Sequence, residues 1–210
     1  MIPFADLKRQ YQNLKEEIDS CINDSLNNTA FIGGKSVRRF EESYSEYIGV
    51  NHCIACANGT DSLFIILKSL GIGPGDEVIT AANTFVATVG AICELGAIPI
   101  FVDCDDSFCM NVDLIEKKIT KKTKAIVPVH FTGYMTNMLK LNKISKKYSI
   151  PVVEDACQSI LASINNKNAG TWSQFGAFSL HPLKNINVWS DGGIIVTNNK
   201  KYYQELKLLR

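Results

Sequence analysis

The sequence contains no apolar run that approaches the roughly 20 residues of a membrane-spanning helix. The N-terminal residues, Met1 to Asp6, include no charged region followed by an apolar one, so no targeting segment is predicted and a cytoplasmic location is expected. An excess of one charge is also missing, because the formal net charge is +1. Proteins that bind nucleic acid or an acidic membrane surface carry basic patches, so we expect neither partner and predict a small ligand.

Cysteine is present, but not in the pattern of a disulfide framework or a metal site. The seven cysteines are an odd number, which argues against a complete set of disulfides. Cys53 and Cys56 have the spacing of a metal or redox pair, yet they lie in an apolar run that is predicted to be a strand. Residues three apart on a strand face opposite sides, and no second pair lies at ligand spacing. No metal is therefore expected.

Internal repeats and low-complexity segments are absent. No Gly-x-Gly-x-x-Gly motif occurs either, which argues against a dinucleotide-binding dehydrogenase.

Apolar residues at helical spacing predict one helix from Leu7 to about Asn27 and a second that stops at Gly49. Beyond them, short apolar runs alternate with helical patterns. The predicted strands are residues 52–57, 77–80, 98–102, 125–129, 151–154, 175–180 and 193–197. The predicted helices are residues 61–70, 85–95, 113–119, 138–148 and 200–210.

This alternation predicts an α/β fold with a mostly parallel sheet of roughly seven strands and helices on both faces. The 210 residues suffice for one well-buried domain. We divide them into an N-terminal helical segment (1–50), an α/β core (51–198) and the beginning of a further helix (199–210). In such a sheet, ligands bind at the carboxyl ends of the strands.

An aspartate at a predicted strand end and a lysine in a later loop indicate pyridoxal phosphate (PLP) chemistry. Asp155 follows Glu154 at the end of an apolar run. Lys184 lies 29 residues later, in a loop after the next strand. A lysine amine can link covalently to the PLP aldehyde, while a carboxylate keeps the pyridine nitrogen protonated so that the ring accepts electrons. The ordinary alternatives are a helix N-cap for Asp155 and a surface position for Lys184.

Three other segments could complete such a site. Gly59, Thr60 and Asp61 open a helix after a strand, where backbone amides and the helix dipole suit a phosphate, although Thr60 or Asp61 could simply cap the helix. Phe85 could stack on a flat heterocycle or be a core residue. Gln158 could donate to the phenolate oxygen of PLP or act as a cap.

With these residues assembled, the chain resembles the nucleotide-sugar aminotransferases of the DegT/StrS type, which are PLP enzymes of fold type I. The resemblance extends over the whole sequence. Its motifs are Phe31-Ile32-Gly33-Gly34, Gly59-Thr60-Asp61, Pro74-Gly75-Asp76-Glu77-Val78, Pro128-Val129-His130, Glu154-Asp155-Ala156 and the run from Ser179 to Asn185.

The resemblance implies a role for each matching position. The amides of Thr60 and Asp61, next to Gly59, would hold the phosphate with Ser179. Phe85 would stack on the ring and Asp155 would pair with its nitrogen. Gln158 would contact the 3-hydroxyl oxygen, and Lys184 would be the covalent lysine and proton shuttle. The candidate substrate contacts within the matching motifs are His130, His181 and Asn185.

The resemblance also implies transamination of a nucleotide-linked keto sugar, with glutamate or glutamine as donor. Relatives that dehydrate instead carry histidine where Lys184 stands, so transamination is favoured. Family members form homodimers with shared active sites and continue into a small C-terminal domain that would follow residues 199–210. The alternative is a PLP-binding fragment or regulatory homologue without turnover, because that domain would complete the site.

Overall fold

Two helices precede the sheet in the computed structural model, which describes residue 3 and residues 5–210. Helix α1 spans Leu7–Asn27 and is capped by Asp6, whose Oδ1 accepts from the amide of Arg9 at 2.9 Å. Helix α2 spans Gly34–Ile48 and ends at Gly49, which has a left-handed φ of 79°. Both predicted N-terminal helices are thus present. Among the described residues, no helix is both long and apolar enough to cross a membrane.

The rest of the chain alternates strands and helices, as predicted. The strands are β1 (His52–Cys56), β2 (Glu77–Ala81), β3 (Ile98–Val102), β4 (Thr123–Val127), β5 (Val153–Asp155), β6 (Ser163–Ile164), β7 (Lys167–Asn168), β8 (Phe175–Ser179) and β9 (Gly193–Thr197). The helices are α3 (Gly59–Ser69), α4 (Val86–Glu94), α5 (Met138–Tyr148) and α6 (Lys200–Leu209).

The strands form a four-stranded sheet in the order β1-β9-β8-β5 and a three-stranded sheet in the order β3-β2-β4. The prediction of one sheet of about seven strands is therefore wrong. Only the isolated bridges Ile126–Val152 and Val129–Asp155 join β4 to β5. Pro128 and Pro151 lie at this junction, and neither has an N–H to donate, which explains why the ladder is interrupted.

Strand directions agree with a mostly parallel arrangement. Strand β2 runs parallel to β3 and β4, and β5 runs parallel to β8. Only β9 is reversed within these two sheets, since it pairs antiparallel with both β1 and β8. The carboxyl ends of β1, β5 and β8 consequently point to the same edge of the four-stranded sheet.

Helices cover both faces of the sheets. One apolar cluster joins Ile66 of α3, Ile92 of α4 and Leu206 of α6 to inward side chains of the strands. The other joins Tyr44 of α2 and Leu141 of α5 to the opposite side chains of the same strands. This layering confirms the predicted α/β class with helices on both faces.

Two local predictions need correction. The helix predicted at 113–119 is instead a pair of short 3-10 turns, Val112–Leu114 and Glu116–Lys118. The buried residues of this segment, Val112 and Ile115, are three positions apart, and this spacing matches the three residues per turn of a 3-10 helix. The β6–β7 hairpin was not predicted, although Asn165-Asn166 is a suitable turn signal. Both asparagines have positive φ, 50° and 59°, as a type I′ turn requires.

Candidate functional site

A cavity of about 600 Å³ lies where the carboxyl ends of β1, β5 and β8 meet the N-termini of α3 and α4. Most of the site residues predicted from the sequence line it. They are Gly59, Thr60, Phe85, Asp155, Gln158, Ser179, His181 and Lys184. The two residues on which the PLP prediction depends, Asp155 and Lys184, therefore share one cavity.

Asp155 is held in place from several sides at the end of β5. Its side chain is 5% exposed, and its Oδ2 accepts from the hydroxyl of Thr88 in α4 at 2.7 Å. Its Oδ1 accepts from the amide of Cys157 at 3.2 Å. The backbone amide donates to the Pro128 carbonyl at 2.9 Å. The carboxylate thus has little freedom to rotate.

Lys184 lies in the loop that connects β8 to β9. Its amide donates to the His181 carbonyl at 2.8 Å, and the amide of His181 donates to Ser179 Oγ at 3.3 Å. The base of the loop is closed by the amide of Leu180, which donates to the Gly192 carbonyl at 2.7 Å. These hydrogen bonds restrain the loop that follows Ser179, and with it the position of the half-buried Lys184.

The N-terminus of α3 forms another wall. Asn58 is the N-cap, and its Oδ1 accepts from the amide of Asp61 at 2.8 Å. A Cβ at Gly59 would lie 2.9 Å from both Cys157 Sγ and Ser179 Cβ, so only glycine lets this turn pack so closely. Thr60 is exposed to the cavity, at the positive end of the helix dipole.

Asp61 was predicted to hold the phosphate through its amide, and this role stays a prediction. It is absent from the cavity lining, and its amide is engaged by Asn58 rather than open to an anion. The alternative of a cap by Thr60 or Asp61 is wrong, because Asn58 provides the cap. The sequence signal for Asn58 was available, since asparagine is a preferred N-cap directly before a helix.

Two of the predicted substrate contacts, His130 and Asn185, lie outside the cavity lining. The side chain of His130 is fully buried, with its Nε2 3.0 Å from Glu154 Oε2, and therefore cannot reach a substrate in this arrangement. Asn185 is exposed but outside the cavity lining. His181 does line the cavity, and its Nδ1 accepts from the amide of Leu183 at 3.2 Å.

Eight lining residues were not predicted as site residues, and the polar or aromatic ones among them are Asn58, Phe131, Cys157 and Asp191. Cys157 stands between Asp155 and Gln158 in the sequence, which is the only signal for it. Burial raises the pKa of its thiol well above the ordinary value, and the neighbouring Asp155 carboxylate adds to this effect. The Lys184 cation acts in the opposite direction. Cys157 is thus a neutral thiol between two charged groups.

The other cysteines show no ligand cluster. All seven are free thiols, and burial raises the pKa values of Cys53, Cys56 and Cys109. Throughout the described part of the chain, no group of three or more His, Cys, Asp and Glu side chains is arranged to hold a metal ion.

Comparison with known proteins identifies the family of this chain. The model of the DegT/DnrJ/EryC1/StrS aminotransferase family matches residues 12–210, and the chain belongs to that family. It is 40% identical over 210 residues to a protein of Geobacillus stearothermophilus called pleiotropic regulatory protein, matching 100% of this chain and 56% of that protein. It is 42% identical over 200 residues to UDP-2-acetamido-2-deoxy-3-oxo-D-glucuronate aminotransferase of Pseudomonas aeruginosa, matching 95% of this chain and 56% of that enzyme.

A solved relative extends the comparison to the fold. The crystal structure of NtdA from Bacillus subtilis with bound cofactor PMP superposes with a TM-score of 0.91 at 35% identity. It covers 98% of this chain and 47% of the NtdA chain. The chain thus spans about half the length of the relatives it matches, and the fold predicted from the resemblance is that of its structural neighbours.

The residues that line the cavity fit the cofactor PLP. A volume of about 600 Å³ is within the usual range for a small-molecule site of roughly 300 to 1,000 Å³. The close glycine turn at Gly59 and the hydroxyl of Ser179 leave room for a phosphate at the N-terminus of α3. Asp155 supplies an acceptor for a ring N–H, Lys184 supplies an amine, and Phe85 supplies an aromatic ring that is 64% exposed.

Proposed function

We propose that the protein is a PLP-dependent aminotransferase that transfers an amino group to a nucleotide-linked keto sugar. The observation that carries this proposal is the placement of Lys184 and Asp155 in one cavity with the N-terminus of α3. The family and the keto-sugar aminotransferase among its relatives support the reaction class and the substrate class. Glutamate or glutamine, suggested by the resemblance alone, is our proposed amino donor.

The chain offers a partner for each part of the cofactor. We assign the phosphate to the first turn of α3 at Gly59 and Thr60, together with Ser179 Oγ. Phe85 would cover one face of the ring, and Asp155 would accept from the ring nitrogen. Coulomb attraction at about 4 Å contributes on the order of 4 kcal/mol at an effective dielectric of 20, which suffices to keep that nitrogen protonated. When bound, PLP supplies an electron sink for charge that develops at the substrate carbon.

Gln158 and Lys184 would then orient the cofactor and move the substrate proton. Gln158 Oε1 accepts from the amide of Thr132 at 3.1 Å, which leaves its NH2 group free to donate toward the cofactor 3-oxygen. Lys184 Nζ would remove and return the proton at the α-carbon of the amino donor, as a general acid and base. His181, at the mouth of the cavity, is the remaining candidate for a substrate contact.

Replacement of Lys184 tests the assignment. In Lys184→Ala, covalent PLP attachment should be lost, and transamination should fall on the order of 10²- to 10⁴-fold or more, because no other amine replaces it. Borohydride reduction followed by peptide mass spectrometry should find the cofactor adduct on Lys184 of the wild-type protein. Lys184→Arg keeps the charge but should lose the adduct as well, and the surface variant Lys201→Ala should retain it. An adduct on any other lysine would contradict the proposal.

Further proposals concern assembly and location. We propose a homodimer with shared active sites, because α1 exposes an apolar stripe and has no buried residue. This stripe borders a groove of about 670 Å³ that also includes Trp189 from the Lys184 loop. We also propose a cytoplasmic location, since the seven free thiols suit a reducing compartment.

A second candidate function follows from one relative, which is called a regulatory protein. A regulatory homologue would bind PLP without turnover. The two functions differ in a single-turnover experiment, in which glutamate or glutamine is added to the PLP-loaded protein. An aminotransferase should release the corresponding keto acid and lose the visible absorbance of the linked cofactor. A regulatory homologue should retain that absorbance and release no keto acid.

A further inference from the structure

We propose that the buried pair of Glu154 and His130 is a positioning device that holds Asp155 and Gln158 in place. Both side chains have zero exposed surface. The pair spans the junction of the two sheets, where only isolated bridges connect the strands. The inference rests on the proposed function, because positioning is defined here relative to bound PLP.

Four hydrogen-bond partners face the side chain of Glu154. Its Oε1 accepts from the amide and the hydroxyl of Ser173, at 2.8 and 2.9 Å. Its Oε2 accepts from the amide of Gly170 at 2.8 Å and faces His130 Nε2 at 3.0 Å. Donors thus surround both oxygens. An ionised carboxylate is acceptor-only and has about four lone-pair sites, so it meets all four partners, whereas a glutamine would turn an NH2 group toward two donors.

The tautomer of His130 follows from its two neighbours. The amide of Thr136 donates to Nδ1 at 3.3 Å, so this nitrogen carries no proton. Nε2 must then carry the proton and donate to Glu154. A hydrogen bond to a carboxylate is shorter and stronger than one between neutral groups, so the pair stabilises one arrangement of the junction.

The backbone of His130 connects this pair to the cofactor site. Its amide donates to the Asp155 carbonyl at 3.0 Å, and its carbonyl accepts from the hydroxyl of Ser159. These two bonds hold both ends of the segment that carries Asp155 and Gln158. The turn that follows His130 supplies the amide of Thr132 to Gln158. A shift of His130 would therefore move the ring-nitrogen partner and the 3-oxygen partner together.

Two substitutions of His130 separate its two hydrogen bonds. Asn places an acceptor near the position of Nδ1 and keeps the Thr136 contact, but it loses the donor to Glu154. Gln places a donor near the position of Nε2 and keeps the Glu154 contact. The control is Ser145→Ala, which removes a buried hydrogen bond of 2.7 Å to the Ile150 carbonyl, on a helix that contributes nothing to the cavity lining.

The measured quantities are the PLP dissociation constant, from absorbance titration, and amide hydrogen exchange of residues 128–136 and 155–159 without cofactor. We expect His130→Asn to weaken PLP binding by about tenfold or more and to accelerate exchange in both segments. His130→Gln should stay within about threefold of the wild type. Ser145→Ala should lower the melting temperature without changing PLP affinity. Equal PLP affinity in the wild type and His130→Asn, or an equal loss in Ser145→Ala, would overturn the inference.

A measurement on the wild-type protein keeps the inference testable even when His130→Asn does not fold. Nitrogen-15 NMR of the histidine rings should find His130 with a protonated Nε2 and an unprotonated Nδ1. A proton on Nδ1 would overturn the proposed pair. A wild-type protein with the expected tautomer and exchange pattern that bound no PLP would contradict the proposed function instead.

Discussion

At the scale of single residues, the cavity is a set of side chains whose surroundings leave them few conformations. Asp155 is held by Thr88 and by the amide of Cys157, and it is almost fully buried. A carboxylate fixed before the ligand arrives needs no rearrangement when charge develops on a bound ring. Lys184, which lines the same cavity, is only half-buried and therefore less enclosed than Asp155.

Cys157 allows a test of the electrostatic description. Its thiol pKa is raised by burial and by Asp155, so the reactive thiolate forms only at higher pH than in an unperturbed cysteine. At neutral pH, iodoacetamide should therefore label Cys157 more slowly than the exposed Cys21 and Cys93. The labelling rate of Cys157 should rise only at more alkaline pH. Timed alkylation followed by peptide mass spectrometry gives the three rates.

Lys184 provides an internal control for this prediction. Its cation lowers the Cys157 pKa, so Lys184→Ala should slow the labelling of Cys157 further and leave Cys21 unchanged. Labelling of Cys157 at the rate of Cys21 in the wild-type protein would contradict the description of a neutral, shielded thiol.

At the scale of elements, the start of α3 determines one wall of the site. Asn58 has an extended backbone and caps the helix, while Gly193 at the start of β9 packs against it. A Cβ at Gly193 would lie 2.1 Å from the Asn58 carbonyl oxygen. The cap, the glycine and the adjacent strand therefore fix where the helix dipole points.

Loss of the α3 cap should weaken both the fold and the cofactor site. Asn58→Ala should lower the free energy of unfolding by about 1 kcal/mol, because the amide of Asp61 loses its acceptor. It should also reduce PLP affinity, since the first turn of α3 would be less ordered. Urea unfolding and PLP titration measure the two effects.

The matched control is Asn199→Ala, the cap of α6. Asn199 Oδ1 accepts from the amides of Lys201 and Tyr202 at 2.9 and 3.3 Å, on a helix that contributes nothing to the cavity lining. The Asn199→Ala variant should lose a similar amount of unfolding free energy, about 1 kcal/mol, and keep its PLP affinity. A parallel loss of affinity in both variants would show that general destabilisation, and not the wall at α3, is responsible.

At the scale of the whole molecule, two sheets meet edge to edge and α1 lies at the surface. Its apolar side chains are substantially exposed, with Leu14 at 42% and Leu26 at 54%. An apolar stripe of this length, next to the loop that carries Lys184, would be covered in the proposed homodimer. The Tyr11 and Trp189 rings, 5.0 Å apart and edge to face, already tie α1 to that loop.

A charge on this stripe should therefore disrupt assembly. Leu14→Glu should shift the protein from dimer toward monomer, because burial of an unpaired carboxylate in an interface is unfavourable. Gln12→Glu carries the same charge on the opposite side of α1 and should leave the dimer intact. Sedimentation velocity of the three proteins measures the change. Identical behaviour of Leu14→Glu and the wild type would refute the proposed interface.

The sequence by itself determined the α/β class, the approximate bounds of most strands and helices, and the placement of Asp155 and Lys184 at one site. These features depend on local periodicity, on cap and turn residues, and on the rule that parallel strands end at one edge. The domain division at residues 50 and 198, and the roles of the cavity residues, stay predictions.

Only the tertiary structure decided which polar residues face the cavity. His130 follows β4 and Asp155 ends β5, yet the His130 side chain is turned into the core against Glu154 and the Asp155 side chain toward the cavity. Such outcomes depend on contacts between segments distant in the chain, as does the break between the two sheets. Local patterns carry no information about these contacts.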